Sequence, residues 1–345
     1  MGTDDGMVLS VVFTGRDEVR VERAPAPRPG PGEFTVRVNV SLVSAGTEGI
    51  VLGRLFEPGT HWDQWVRYPF VPGYSAVGTV LELGEGTDRV RVGDRVALRR
   101  PHASVLSVPA AEDVYRVPDA VTDEEAAWFH LATIAQVGVR RAEHRLGDRV
   151  AVIGLGPVGQ LAVQYARLSG AAEVFAVDPV RSRVDLATAN GATVGLALPA
   201  DEAAAAIRRA TDGEGADVVY DVTGAAPVFA AAQHAVRRFG RLVLLGDSGT
   251  PSAQSLTPAL ITNGLRVVGA HDMHGEFAAD DRDPWNNLRM GELFFRYLER
   301  GVMNTSSLIS HRFPAEDAEA AYRLVRARPA HLTGLLLDWT GATGA

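Results

Sequence analysis

The sequence predicts an α/β protein in which a doubly wound parallel sheet is joined to a second, β-rich domain. Three observations predict it. The chain has 345 residues, a soft prior of about two domains. Its first third alternates apolar and polar residues around Pro- and Gly-rich connections, and from about Trp128 short apolar runs alternate with Ala-rich helical stretches.

Taken in order, "VRVERAPAPRPGPGEFTVRVNVSLVSAG" and then "GTVLELGEGTDRVRVGDRVAL" show the period-two alternation of half-buried strands, so the first domain reads as antiparallel. "RVAVIG", "EVFAVD", "DVVYDVT", "RLVLLG" and "LRVVGA" read as five buried strands of a parallel sheet. "GPVGQLAVQYARLSG", "RSRVDLATANG" and "PVFAAAQHAVRRFG" are the intervening helices, each ended by Gly, and "ADEAAAAIRRA" is a further short helix. After about His271 the texture mixes again. A polar and aromatic stretch from Asp272 to Trp285 precedes the helical "MGELFFRYLERG" and a closing "ISHRFPAEDAEAAYRLVRARP". The expected organisation is a first domain over residues 1–130, a dinucleotide-type domain over 131–270 and a return to the first domain over 271–345.

Composition removes several kinds of chemistry. With 46% hydrophobic and 22% charged residues the chain is an ordinary globular protein. Its 42 acidic against 34 basic residues give a net charge of −8, and no basic stripe is visible, so nucleic acid is not an expected partner. There is no Cys, which excludes disulfides, thiolate nucleophiles and Cys-containing zinc sites. There is also no Lys, which excludes Schiff-base chemistry, a Walker A lysine and the Tyr/Lys pair of short-chain dehydrogenases. No run approaches 18 apolar residues, and the N-terminus carries Asp4 and Asp5 instead of a basic leader, so a cytoplasmic location without membrane contact is expected.

"RVAVI" runs directly into Gly154, Leu155, Gly156, Pro157, Val158 and Gly159, and an amphipathic helix follows. In that context GxGxxG has a mechanism. Gly154 permits the tight turn, Gly156 admits a pyrophosphate to the backbone, Gly159 allows close helix–strand packing, and the helix N-terminus offers N–H groups. The second strand ends in Asp178, nineteen residues after Gly159, close to the offset of about 20 for the acid that binds the adenosine ribose. The domain is therefore expected to be a Rossmann domain. Asp178 would repel a 2′-phosphate, so NAD is expected over NADP, with Arg181 and Arg183 as the groups able to soften that preference.

At this point the sequence resembles the medium-chain dehydrogenase/reductase superfamily, the zinc-type alcohol and polyol dehydrogenase fold. The resemblance is carried by "SAGTEG" (Ser44 to Gly49), Tyr68 to Leu98, Arg140 to Ala171 and "ADVVYDVTGA" (Ala216 to Ala225). It implies a GroES-like catalytic domain and a homodimer through the Rossmann domain. It also implies that Thr223, Leu245, Gly246, Ala270 and His271 line the cofactor, the last four toward its nicotinamide end. The family's zinc enzymes carry a ligand Cys where Ala45 stands and Gly-His-Glu where Gly73, Tyr74 and Ser75 stand. Their third ligand falls at or near His130, and the Cys-rich structural-zinc lobe is missing between "GDRVALRR" and "VYRVPD". Since a catalytic zinc needs about three protein ligands, a zinc-free member is implied. The wording of "SAGTE" and "VPGYSAVGTV" is similar to the branch holding bacteriochlorophyllide dehydrogenase and dehydrogenases of bacterial secondary metabolism.

Without zinc, protein donors must stabilise the substrate oxygen during hydride transfer. Tyr74 and His130 are the candidate donors and proton carriers, with Thr47 as a relay and Glu48 orienting or charging one of them. The bland alternative is that Tyr74 fills vacated volume and His130 is a core histidine. The polar and aromatic "GTHWDQWVRYPF" offers His61, Trp62 and Trp65 to a sugar-like or cyclitol ring, or else forms an exposed loop or subunit contact. "GAHDMHGEF" groups His271, Asp272, His274 and Glu276 at a spacing that fits no standard zinc motif, so it is read as a cofactor- or substrate-lining segment. The Asp280 to Asp283 cluster is expected to be a solvated loop. The expected function is NAD(H)-dependent oxidation of a secondary alcohol or reduction of its ketone. An NADPH-dependent reductase of enones or quinones and a non-catalytic NAD-binding protein are the alternatives.

Overall fold

A computed structural model describes residues 6–273 and 284–342. Asp4, Asp5, His274, Glu276 and the cluster from Asp280 to Asp283 lie outside the described residues. The chain forms two compact units. The first comprises residues 1–55, 64–130 and 287–345, and the second comprises 56–63 and 131–286.

The N-terminal strands are β1 (Met7–Gly15), β2 (Glu18–Pro25) and β3 (Glu33–Val43), followed by helices α1 (Ala45–Gly53) and α2 (His61–Trp65). Strands β4 (Ala76–Leu83), β5 (Arg95–Leu98), β6 (Val105–Pro109) and β7 (Val114–Arg116) come next, then α3 (Asp123–Ala126) and α4 (Phe129–Arg141). β1 and β2 pair as an antiparallel hairpin. β3 is the long spine of the first unit and pairs antiparallel with β4 and β6, as its alternating apolar residues predict. Thr122 and Glu125 close a capping box at the start of α3, satisfying two N–H groups that the helix itself cannot.

The second unit opens with β8 (Arg149–Ile153), α5 (Pro157–Leu168), β9 (Glu173–Val177), α6 (Arg181–Ala189), β10 (Val194–Leu196) and α7 (Ala200–Ala210). It continues with β11 (Ala216–Asp221), α8 (Ala226–Ala235), β12 (Val236–Leu244), α9 (Pro258–Thr262) and β13 (Arg266–Gly269). The strands run parallel in the order β10-β9-β8-β11-β12-β13, the doubly wound arrangement that the alternating pattern predicts. Its core packs Ile153, Phe175, Val177, Ile207, Val219, Phe229 and Leu242. The last elements, α10 (Asn287–Glu299), β14 (Ile309–Pro314), α11 (Ala318–Ala327) and β15 (Gly334–Asp338), return to the first unit, where β15 pairs with β3.

Four local expectations are corrected. "PVFAAAQHAVRRFG" is helical only to Ala235, because Val236 onward pairs with β11 as β12. β10 went unpredicted, being a three-residue edge strand with few apolar residues. β13 is not a buried strand: it is the other edge of the sheet and three of its four residues are exposed. The stretch read as the loop "GTHWDQWVRYPF" contains the short helix α2. Among the described residues, no helix is long and apolar enough to cross a membrane.

One buried polar cluster in the second unit makes stability pH-dependent. The Tyr220 hydroxyl, kept protonated by burial, lies 2.6 Å from Nε2 of His144, while Arg241 bonds Asp148 at 3.0 Å. Burial pushes the His144 imidazole down to about 4, against the opposing pull of Asp148. The folded state thus holds His144 neutral where the unfolded chain would protonate it. Its stabilisation is complete above the unfolded value of 6.5 and declines as pH falls toward 4. The expected loss is up to about 3 kcal/mol by pH 4. Urea melts at pH 7.5 and 4.5 should show a larger pH-induced loss in the native chain than in His144→Gln, and equal losses would contradict this account.

Candidate functional site

The loop after β8 is shaped by its glycines. Gly154 sits at φ +96° and donates its N–H to Val177 O at 2.8 Å, and a Cβ there would lie 2.5 Å from Cγ2 of Thr223. A Cβ on Gly159 would lie 1.9 Å from Gly154 O, whereas one on Gly156 meets no atom within 4 Å. Gly156 caps α5, with Pro157 opening the helix and Val158 following half-buried, so the first-turn N–H groups face outward from a loop with room beside it.

Asp178 follows directly after β9 and is buried. Its Oδ2 accepts from Leu155 N at 2.9 Å and its Oδ1 from Val180 N at 2.9 Å, while Arg183 Nη1 stands 3.8 Å from Oδ2. Each carboxylate oxygen keeps a further acceptor site. Arg181, by contrast, is exposed beside Asp185. At the end of β11, Asp221 Oδ1 accepts from both N and Oγ1 of Thr223, at 2.9 and 2.7 Å, which presses Thr223 against the Gly154 turn. The other oxygen of Asp221 is buried without a hydrogen-bond partner, and burial pushes the carboxyl above its ordinary range. Leu245 and Gly246 donate to Asp221 O at 2.9 Å, and Ala270 donates to Leu244 O at 3.0 Å. Thr223, Leu245, Gly246 and Ala270 therefore gather at the carboxyl ends of three adjacent strands, where ligands of such sheets bind.

His61 and His271 meet at the same strand ends. His61 Nε2 lies 2.8 Å from Asp247 Oδ2, the His271 ring is 6.4 Å from the His61 ring, and His271 Nδ1 contacts Asp272 at 2.8 Å. Trp62 is buried, with its ring stacked 6.5 Å from Phe56, so its face is already committed to packing. Trp65 belongs to the first unit and is half exposed, with its ring edge-on to Phe70 at 5.1 Å.

In the first unit, Tyr74 and His130 lie together, ring centroids 5.1 Å apart in an edge contact, with His130 on the first turn of α4 and buried. Ala45 and half-buried Thr47 stand on the first turn of α1. Ser75 donates its hydroxyl to Ala127 O at 2.6 Å and is committed there. The residues that the resemblance matches to the family's zinc ligands do not fit a catalytic zinc: Ala45 has no ligating atom, Tyr74 offers a phenol, and Ser75 is already engaged. Among the described residues, no group of three His, Asp or Glu side chains could hold a metal.

Glu48 points into the protein. Its Oε1 accepts from Ser44 N at 2.8 Å, and its Oε2 is shared by His102 Nε2 at 3.2 Å and the Tyr322 hydroxyl. His102 Nδ1 lies 2.8 Å from Ser41 Oγ, which also accepts from Trp339 Nε1 at 2.8 Å. Sequence reasoning missed His102 and Tyr322. "RRPHASV" carries no spacing motif, and Tyr322 reads as one apolar-face residue of an amphipathic helix.

Comparison with known proteins agrees with this architecture. Residues 30–111 match the alcohol dehydrogenase GroES-like domain, and residues 157–280 match the zinc-binding dehydrogenase family. The chain is 28% identical to sorbitol dehydrogenase of Gallus gallus, covering 93% of this chain and 94% of that protein. It is 31% identical to a Mycobacterium tuberculosis protein named as a probable zinc-binding alcohol dehydrogenase, covering 92% of this chain and 85% of that protein. A Sinorhizobium meliloti 1021 dehydrogenase structure bound to NADP superposes with a TM-score of 0.79 at 21% identity, covering 96% of this chain and 99% of that one. With both domain types matched in their expected order and a relative above 30% identity over nearly the whole length, the chain belongs to the medium-chain dehydrogenase/reductase superfamily.

Proposed function

We propose that the protein is a metal-independent, NAD(H)-dependent oxidoreductase that interconverts a secondary alcohol and its ketone, acting on a polyhydroxylated substrate such as a cyclitol or sugar-derived ring. The observation that carries this reading is the edge contact of Tyr74 with His130, at or near positions that the resemblance matches to the family's zinc ligands, together with Ala45 and a committed Ser75. Two ring side chains with exchangeable protons replace a Lewis acid. The polyol class is supported by the likeness to sorbitol dehydrogenase over 93% of the chain.

In this reading the bound dinucleotide supplies the hydride acceptor. The chain's own residues hold it and manage the proton. Gly156 and the first turn of α5 receive the pyrophosphate, and Asp178 receives the ribose hydroxyls. Asp178 favours NAD because its buried charge opposes a 2′-phosphate, and Arg183 is held toward that same carboxylate at 3.8 Å. Thr223, Leu245, Gly246, Ala270 and His271 border the nicotinamide end. Tyr74 and His130 donate to the substrate oxygen, and one of them takes its proton during oxidation. Of the substrate-side candidates, exposed His61 is paired with Asp247 and half-exposed Trp65 packs edge-on against Phe70, whereas Trp62 serves as the packing anchor of its segment. A homodimer through the second unit is supported by the exposed edge strand β13, Val267 included, and by exposed Phe239 and Ile261.

Three outcomes are expected. In a spectrophotometric panel of polyols, cyclitols and enones, alcohols should reduce NAD+ with at least roughly tenfold preference over NADP+, while enone turnover with NADPH alone would overturn the reading. Tyr74→Phe and His130→Gln should each lower kcat/KM by about 100-fold with the NADH dissociation constant unchanged; if both stay within threefold of the native chain, the pair is space-filling. Gly156→Ala should weaken NADH binding about tenfold while leaving the melting temperature nearly unchanged. Gly159→Ala should lower the melting temperature by several degrees, because its Cβ meets Gly154 O at 1.9 Å. The reverse pattern would place the cofactor elsewhere.

A further inference from the structure

Tyr74 rides on a turn whose underside is a buried imidazole. Gly73 sits at φ +99°, and a Cβ there would come within 2.6 Å of Cγ and Cδ2 of His102, so the His102 ring lies directly against the Gly73 backbone. His102 N also donates to Pro72 O at 3.0 Å. The residue before Tyr74 and the one before that are thus both held by His102.

The imidazole is held in turn by a chain of hydrogen-bonded groups. Trp339 Nε1 can only donate, so Ser41 Oγ accepts from it. Glu48 Oε1 accepts from Ser44 N, and its Oε2 accepts from the Tyr322 hydroxyl and lies 3.2 Å from His102 Nε2. His102 thus spans two oxygens, with Nδ1 2.8 Å from Ser41 Oγ and Nε2 3.2 Å from Glu48 Oε2. Each side chain of the cluster thus has a hydrogen-bond partner within it. His102, Glu48 and Tyr322 are all essentially excluded from water. The Tyr322 phenol is pushed well above its ordinary range by burial, then by the Glu48 charge and hydrogen bond, and further by Tyr74. The cluster joins β3 and the start of α1 to α11 and the residue after β15, elements far apart in sequence that all lie within the first unit.

Stability does not require such a cluster, because well-packed apolar residues of the same volume would serve at least as well as buried ionic groups. What a shared carboxylate supplies is a fixed geometry, since each partner is held in direction as well as distance. We propose that Glu48, His102 and Tyr322 are the positioning residues of Tyr74, fixing its turn and ring so that its hydroxyl meets the substrate oxygen. The proposal rests on the reading that Tyr74 acts on that oxygen.

The test uses the full-length chain and the panel alcohol that it oxidises fastest. Tyr322→Phe keeps the ring and removes the donor, and Glu48→Gln keeps the shape and removes the charge. Each should lower kcat about tenfold with KM within twofold and the melting temperature within a few degrees. In a double-mutant cycle Tyr322→Phe should add nothing to the loss already caused by Tyr74→Phe; full additivity would overturn the proposal. A second measurement needs no substrate. Labelling with 3-fluorotyrosine gives each of the seven tyrosines a fluorine NMR line, and that of Tyr74 is identified by its loss in Tyr74→Phe. Tyr322→Phe and Glu48→Gln should both shift or broaden it, and an unmoved line overturns the proposal. If the line moves while Tyr74→Phe leaves kcat intact, the positioning stands and the catalytic reading of Tyr74 fails instead.

Discussion

A carboxylate with no access to water must receive hydrogen bonds from whatever surrounds it, and in the first unit this demand brings distant parts of the chain together. Glu48 takes its donors from Ser44 at its own helix start, from His102 before β6 and from Tyr322 on α11. Removing one donor would leave buried charge undersatisfied, at a typical cost of about 1–3 kcal/mol. The chain must therefore return to this unit after building its parallel sheet, and β15 does so by pairing with β3 while Trp339 reaches Ser41. Strand pairing and the buried charge impose the same topology.

The glycine loop of the second unit follows another logic, in which small residues do the work. Gly154 and Gly159 bring loop and helix so close that a single methyl carbon would collide with main chain or with Thr223. Asp178 and Asp221 then lock the flanking turns through Leu155, Val180 and Thr223. The carboxylates stabilise backbone here, where Glu48 stabilises side chains. Asp178 serves twice in the proposed function, since the oxygens that hold the loop also meet the ribose.

What the sequence discloses follows from the range of the interactions. The parallel strands β8, β9, β11 and β12 are legible because burial on both faces demands continuous apolar runs, and the glycine loop is legible because its geometry is settled within six residues. β13 also reads as apolar, but an edge strand differs from a central one only in what covers it, and that is a property of the whole sheet. Trp62 illustrates the same limit. Its neighbours His61, Asp63 and Gln64 suggest a ligand-facing loop, yet stacking on Phe56 turns the ring inward. His102 and Tyr322 are 220 positions apart, and no local pattern announces that they share one oxygen. Tyr74 and His130 are candidates only because the resemblance points to their positions; their side-chain types alone would fit a core as well.

In the proposed function, exchanging a metal for side chains would also change what the protein must control. A zinc ion carries its charge wherever its ligands place it, and small errors in ligand orientation leave its Lewis acidity largely intact. A phenol and an imidazole stabilise a developing alkoxide only along the directions of their hydrogens, so an error of an ångström forfeits much of the effect. A site built from Tyr74 and His130 therefore needs more rigid support than a metal site would. The buried chain from Trp339 through Ser41, His102 and Glu48 to Tyr322 lies directly beneath the Gly73–Tyr74 turn, and it supplies that rigidity where the proposed chemistry is least tolerant of motion.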